Sequence, residues 1–219
     1  MTASTPSTLA ATTEHRVVEV LRARILEGKF AVGERLRQDF ISAELGVSST
    51  PVREAFRRLA AEGLLTIATH RGVVVRDLSF EERVELLELV RLIDTHNLAQ
   101  AVPLADKATI AEAQRIQEDL RTTVDPARWA SLNRQFHWTL GAPSGRPRAL
   151  ALLGELLNLS ALHIRDDIHS LPGRREEALD EHERILEAYE RGDVESTTAA
   201  SHAHTTNALN HLELRRPSV

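Results

Sequence analysis

Apolar and polar positions along this 219-residue chain follow one rhythm up to about residue 78 and another beyond it. Between His15 and Glu27 the apolar positions Val17, Val18, Leu21 and Ile25 recur at helical spacing and Gly28 follows as a stop, which predicts a first helix. A turn through Gly33 leads to a short second helix around Gln38 to Leu45, closed by Gly46. Thr50 reads as the N-cap of a third helix with Pro51 at its first position, and Val52, Ala55, Phe56 and Leu59 mark its buried face up to Gly63. Two short helices joined by a glycine turn predict a helix-turn-helix. The runs Leu64 to Ile67 and Val73 to Val75 have strand character and are separated by Ala68, Thr69, His70, Arg71 and Gly72, so the hairpin they form reads as a wing.

From Ser79 onward only helical periodicity remains. Ser79 is a candidate N-cap with Glu81 and Glu82 in the first turn, and the helix it opens runs about 20 residues through Leu86, Leu89, Val90, Ile93 and Leu98 until Pro103 ends or kinks it. Further helices are predicted at about 107–124, 126–140, 147–168, 176–191 and 194–214, punctuated by proline and glycine. The expected fold is mainly α: an N-terminal winged helix-turn-helix followed by an all-helical antiparallel bundle. Residues 1–12 are expected to be a disordered start, 13–77 the winged helix-turn-helix domain and 79–214 the helical bundle domain.

Composition narrows the chemistry. A hydrophobic content of 42% can fill a core, and the absence of cysteine excludes disulfides, thiolate metal sites and cysteine nucleophiles. No run of about 18 apolar residues and no signal-peptide pattern occurs, so a cytoplasmic protein without membrane association is expected. The net charge of −5 is unevenly spread: residues 1–78 carry 11 Lys and Arg against 9 Asp and Glu, and the remainder 16 against 23. Eight of the ten histidines fall in that acidic second part, where any metal must be held by His, Asp, Glu or Asn.

In a helix-turn-helix the start of the second helix enters the major groove, where short hydroxyls and backbone N–H groups approach phosphates and base edges. Ser48, Ser49, Thr50 and Arg53 occupy that end, with Arg57 and Arg58 farther along to meet phosphates. The other reading is a capped, solvated helix that never touches DNA. The stretches GKFAVGERL, LGVSSTPVREAFRRLAAEGLL and HRGVVV resemble the winged helix-turn-helix of the GntR family of bacterial transcription regulators across roughly residues 13 to 77. The resemblance implies DNA contacts at Ser48, Ser49, Thr50 and Arg53 and, in the wing, at His70, Arg71 and Gly72. Where the family usually has arginine this chain has Ser49, which implies a different operator preference.

In the second part, Asn133 and His137 lie four apart in NRQFH and project from one helix face, while His182 and His204 sit on two later helices. An oxygen ligand and three imidazoles can hold a divalent metal and leave positions open; equally, such histidines can be ordinary bundle residues. NRQFHWTL, PSGRP and EHERILEAYERGDVESTTAASHAH resemble the FCD ligand-binding domain of the FadR-type branch of the same family, over about residues 79–214. That resemblance implies Asn133, His137, His182 and His204 as ligands of one divalent metal, Zn foremost with Ni or Mn as alternatives, and a small carboxylate effector. The glutamate that the family's first bundle helix often carries is Thr95 or Asp94 here, and the usual asparagine after SG is Arg146. Arg91 and Arg165 are candidate carboxylate clamps if they face the cavity, and surface arginines otherwise; His96 and His163 are similarly open.

Two functions stand at this stage: a homodimeric, ligand-responsive repressor reading a palindromic double-stranded operator, and a metal-dependent enzyme acting on a small organic acid. No nucleophile-and-base arrangement, phosphate-cradling glycine loop or metalloprotease histidine pair is present, which favours the regulator.

Overall fold

The computed structural model describes residues 7–68 and 72–216, in two compact units, Met1–Asp77 and Leu78–Val219. In the first unit, α1 (Ser7–Leu26), β1 (Arg35–Leu36), α2 (Gln38–Leu45), α3 (Ser49–Ala61), β2 (Leu65–Ala68) and β3 (Gly72–Val75) follow in order. Helix α1 begins inside the stretch expected to be disordered and well before His15; Leu9, Ala10 and Ala11 favour helix and nothing from Ser7 to His15 interrupts it. Residues 1–6 lie outside the described part.

The apolar stripe of α1, Val17, Val18, Leu21 and Ile25, packs with the buried face of α3, Val52, Ala55, Phe56 and Leu59. Arg22 closes the same contact by donating from Nε and NH2 to Glu62, at 3.0 and 2.7 Å. Between α2 and α3, Gly46 has φ +63° and its N–H reaches Ala43 O, while Val47 N–H reaches Ser42 O at 3.0 Å. A Cβ at Gly46 would meet nothing within 4 Å, so the glycine is required by its left-handed backbone and not by crowding. The N-cap of α3 is Ser48, not Thr50, which places Pro51 third in the helix. A proline is tolerated there because first-turn N–H groups have no intrahelical acceptor. The sheet has one strand more than expected: its order is β1-β3-β2, antiparallel throughout, with Arg35 opposite Val74 and Leu65 opposite Val75.

The second unit is an antiparallel helical bundle of α4 (Phe80–Ala101), α5 (Lys107–Thr122), α6 (Pro126–Gly141), α7 (Pro147–Ser170), α8 (Arg174–Glu190) and α9 (Val194–Glu213). Ser79 forms a capping box with Glu82 at the start of α4, and Pro103 falls in a short 3-10 turn that ends it. The core gathers Leu98, Ile116, Leu120, Trp129, Phe136, Leu140, Leu179, Ile185 and Tyr189. The Tyr189 hydroxyl donates to Leu140 O at 2.9 Å, and burial pushes its pKa up to about 12. Buried faces elsewhere are polar: Asp94 and Asn97 on α4, Asn133 and His137 on α6, Glu181 and His182 on α8, and Thr197, Ser201, His204 and Thr205 on α9. Bundle cores do not need such groups for packing, so they mark where the site lies. Among the described residues no helix is long and apolar enough to cross a membrane.

Ile116 is 1% exposed, and its replacement by alanine should cost the bundle about 2–5 kcal/mol through lost contact and a residual cavity. Both tryptophans, Trp129 and Trp138, belong to this unit, so tryptophan fluorescence during denaturant unfolding reads it separately from the first. A loss below about 1 kcal/mol, the usual effect of a surface change, would contradict the assigned core.

Candidate metal centre, cavity and nucleic-acid interface

Helices α6, α8 and α9 bring His137, His182 and His204 together: one ring nitrogen from each lies within 4.8 Å of the others, and all three are buried. The rings of His137 and His204 stack at 5.2 Å between centroids, and His182 lies 5.3 and 4.7 Å from them. Phe136 stacks on His182 at 4.5 Å between centroids. Asn133, one turn before His137, is 5% exposed and its Oδ1 has no hydrogen-bond partner; neither ring nitrogen of His182 has one.

Two carboxylates stand behind the imidazoles. His137 Nδ1 donates to Asp94 Oδ2 at 3.2 Å, and Ser201 Oγ donates to the same oxygen at 2.9 Å. Of the two α4 candidates, Asp94 rather than Thr95 therefore reaches the cluster. His204 Nδ1 donates to Glu181 Oε2 at 2.7 Å; Arg174 donates to that oxygen from NH1 and NH2 at 3.2 Å each, and Asn207 Nδ2 to Oε1 at 2.8 Å. With Nδ1 committed as donor, Nε2 of His137 and His204 is left with its lone pair. Burial works against the Glu181 carboxylate, but His204, Arg174 and Asn207 outweigh it and hold its pKa down at about 2. Burial, followed by the neighbouring charges of His204, His137 and Arg174, holds His182 well below the ordinary 6.5. Burial likewise lowers His204, against the opposing hydrogen bond that it donates to Glu181. Neutral imidazoles are the form that binds metal.

A cavity opens beside this cluster, with Asn133 and His204 in its wall. Arg91 and Arg165 are not among its lining residues: Arg91 NH1 instead donates to Thr206 Oγ1 at 3.4 Å. On α4 the buried positions Val90, Asp94, Asn97 and Leu98 face the bundle, and Arg91 falls to the side of that stripe. The arginines of the cavity are Arg83, Arg174 and Arg215, none of which the sequence singled out; His163 lines it and His96 is exposed. For Arg174 a signal existed in its spacing of seven from Glu181, which puts the two on one face of α8.

In the first unit, Ser48, Ser49, Thr50, Arg53 and Arg57 are all exposed at the start and outer face of α3. Gln38 Nε2 donates to Ser49 O at 3.2 Å and ties the start of α2 to that end. Glu54 lies between the arginines, 3.4 Å from Arg53 Nε and 3.0 Å from Arg57 NH1. Arg58 turns toward Glu62, at 3.6 Å. Gly72 opens β3 with φ +72°, and the Arg35 guanidinium lies 3.4 Å from where a Cβ would sit. His70 and Arg71 fall outside the described residues.

Comparison with known proteins agrees with both halves. Residues 13–75 match the family described as bacterial regulatory proteins, gntR family, and residues 85–207 match the FCD domain. A probable D-xylose utilization operon transcriptional repressor from Paenarthrobacter nicotinovorans is 29% identical over 209 residues, covering 92% of this chain and 88% of that one. Among solved structures, a putative GntR transcriptional regulator from Rhodococcus sp. RHA1 superposes with TM-score 0.82 at 26% identity, covering 94% of this chain and all of that one. E. coli McbR/YncC shares the fold with TM-score 0.82 at 20% identity, over 94% of this chain and 99% of its own. The chain belongs to the GntR family of bacterial regulatory proteins, carries an FCD domain, and is a transcriptional regulator and not an enzyme.

Proposed function

We propose that this regulator is a repressor that binds a palindromic operator as a homodimer and that its FCD domain holds one divalent metal and responds to a small carboxylate. The observation that carries the metal is the orphaned polar set: both nitrogens of His182 and Oδ1 of Asn133 are buried without partners beside the free Nε2 atoms of His137 and His204. An unpaired buried polar atom costs about 1–3 kcal/mol, and one metal ion would satisfy one nitrogen of His182, Asn133 Oδ1 and the two Nε2 atoms together. Three nitrogens and one oxygen suit Zn, with Ni or Mn as alternatives, and leave coordination sites open. When bound, the metal supplies a Lewis-acidic anchor for an oxygen anion; Asp94 and Glu181 orient the imidazoles that would hold it.

Repression has support from the Paenarthrobacter relative, a probable transcriptional repressor. A palindromic site follows from two-fold symmetry, since one recognition helix covers only a few base pairs. Arg53, exposed at the positive end of α3, is assigned to phosphate. Arg57 shares Glu54 with it and contributes less.

Two experiments test this reading. Arg53→Ala should weaken binding to specific and unrelated duplexes alike and reduce the salt dependence by about one counterion per subunit; unchanged binding at two salt concentrations rejects the phosphate role. The double substitution His182→Ala and His204→Ala should reduce metal content from about one per chain to near none, and chelator should lower the melting temperature of the unmodified protein alone. Operator affinity should survive in the double variant while the carboxylate response is lost. Stoichiometric metal in that variant would identify these residues as ordinary bundle histidines.

A further inference from the structure

We infer that Arg174 recognises the carboxylate of the effector and that Glu181, which it holds, couples the cavity to the metal centre through His204. This rests on the metal-and-carboxylate reading above and names the residues that would join its two parts.

The cavity's sign is opposite to that of its domain. Residues 79–219 carry an excess of seven acidic groups, yet the wall contains three arginines and no Asp or Glu among the described residues, with Glu181 and Glu177 standing behind Arg174 and His211. A pocket so lined selects an anion. Of the three arginines, Arg215 is exposed, Arg83 is half-buried and Arg174 is only 5% exposed. A charge withdrawn from water acts through a lower effective dielectric, so Arg174 has the strongest hold on an anion of the three. It is the first residue of α8, directly after Gly173 with φ +82°, so the positive end of that helix adds to its field. Its hydrogen bonds to Glu181 take two of the five guanidinium N–H donors, and the planar fork suits a carboxylate. Trp129 Nε1 is buried in the same wall without a partner and offers a further donor to a ligand oxygen.

Glu181 Oε2 accepts from Arg174 and from His204 at once. A carboxylate ligand that draws on the guanidinium leaves Glu181 less neutralised, and Glu181 then holds the Nδ1–H of His204 more strongly. His204 becomes a better-oriented, more electron-rich donor at Nε2. Metal and carboxylate should therefore each tighten the other's binding by the same factor.

The test uses the full-length, zinc-loaded protein and a panel of formate, acetate, lactate, pyruvate and succinate at about 10 mM, enough to reveal a millimolar Kd. Melting is followed by tryptophan fluorescence, and the member with the largest stabilisation is titrated by calorimetry. Arg174→Lys should weaken that carboxylate about tenfold or more with zinc stoichiometry unchanged, whereas Arg91→Gln and Arg165→Gln should stay within about twofold of the unmodified protein. Glu181→Gln, which preserves size, should weaken zinc alone by about 10–100-fold in competition with a chromogenic chelator and reduce the mutual tightening. Undiminished carboxylate binding by Arg174→Lys, unchanged zinc affinity in Glu181→Gln, or a panel without effect on the unmodified protein would each overturn the proposal. If the unmodified protein takes up no zinc while carboxylate binding still requires Arg174, the metal reading and the coupling fail and the recognition role stands.

Discussion

The fully buried imidazole of His182 is the constraint around which the helical unit is arranged. It has no hydrogen-bond partner at either nitrogen and is enclosed by Phe136, His137 and His204. A polar ring in that position is costly unless something binds it, and burial keeps it neutral. The groups around it are arranged for binding. Asp94 with Ser201, and Glu181 with Arg174 and Asn207, each fix one neighbouring histidine through Nδ1. These pairings explain why α4, α8 and α9 bury acids and hydroxyls where a bundle would otherwise bury leucine. They also set an order of dependence: Arg174 supports Glu181, Glu181 supports His204, and His204 completes the cluster.

The winged unit follows a different logic. Its apolar residues are used between α1 and α3, and its polar end at Ser48, Ser49, Thr50 and Arg53 is left exposed. Glu54, placed between Arg53 and Arg57, offsets part of their charge, which moderates sequence-independent attraction to DNA and gives more weight to the hydroxyls beside it. Ser49 is too short to form the forked contact of an arginine, so in the proposed interface a base contact there would require close approach of the helix start.

Local signals were legible and distant ones were not. Gly46 and the polar residue at Gln38 bracket α2 as read from the chain, and Ser79 with Glu82 announces α4. The pattern places the start of α3 two residues late because proline fits anywhere in a helix's first turn, and it does not reveal β1 because two residues carry no periodicity. Asn133 and His137 could be paired from their spacing of four. His182 and His204 lie on other helices with no regular spacing to that pair, so the residues alone left a metal set and ordinary bundle histidines both open. Asp94 and Thr95 are adjacent in sequence yet point about 100° apart on a helix, a difference that only packing resolves. Arg91 and Arg165 carry the planar fork that matches a carboxylate but do not line the cavity, whereas Arg174 does.

The central claim is that four side chains from three helices form one metal centre. X-ray absorption at the zinc edge of the zinc-loaded, full-length protein measures this directly, because imidazole nitrogens scatter with a recognisable pattern. The account expects one zinc per chain with three imidazole nitrogens at about 2.0–2.1 Å and oxygen completing the shell. A shell with fewer than three imidazoles, or failure of the protein to retain zinc, would contradict it.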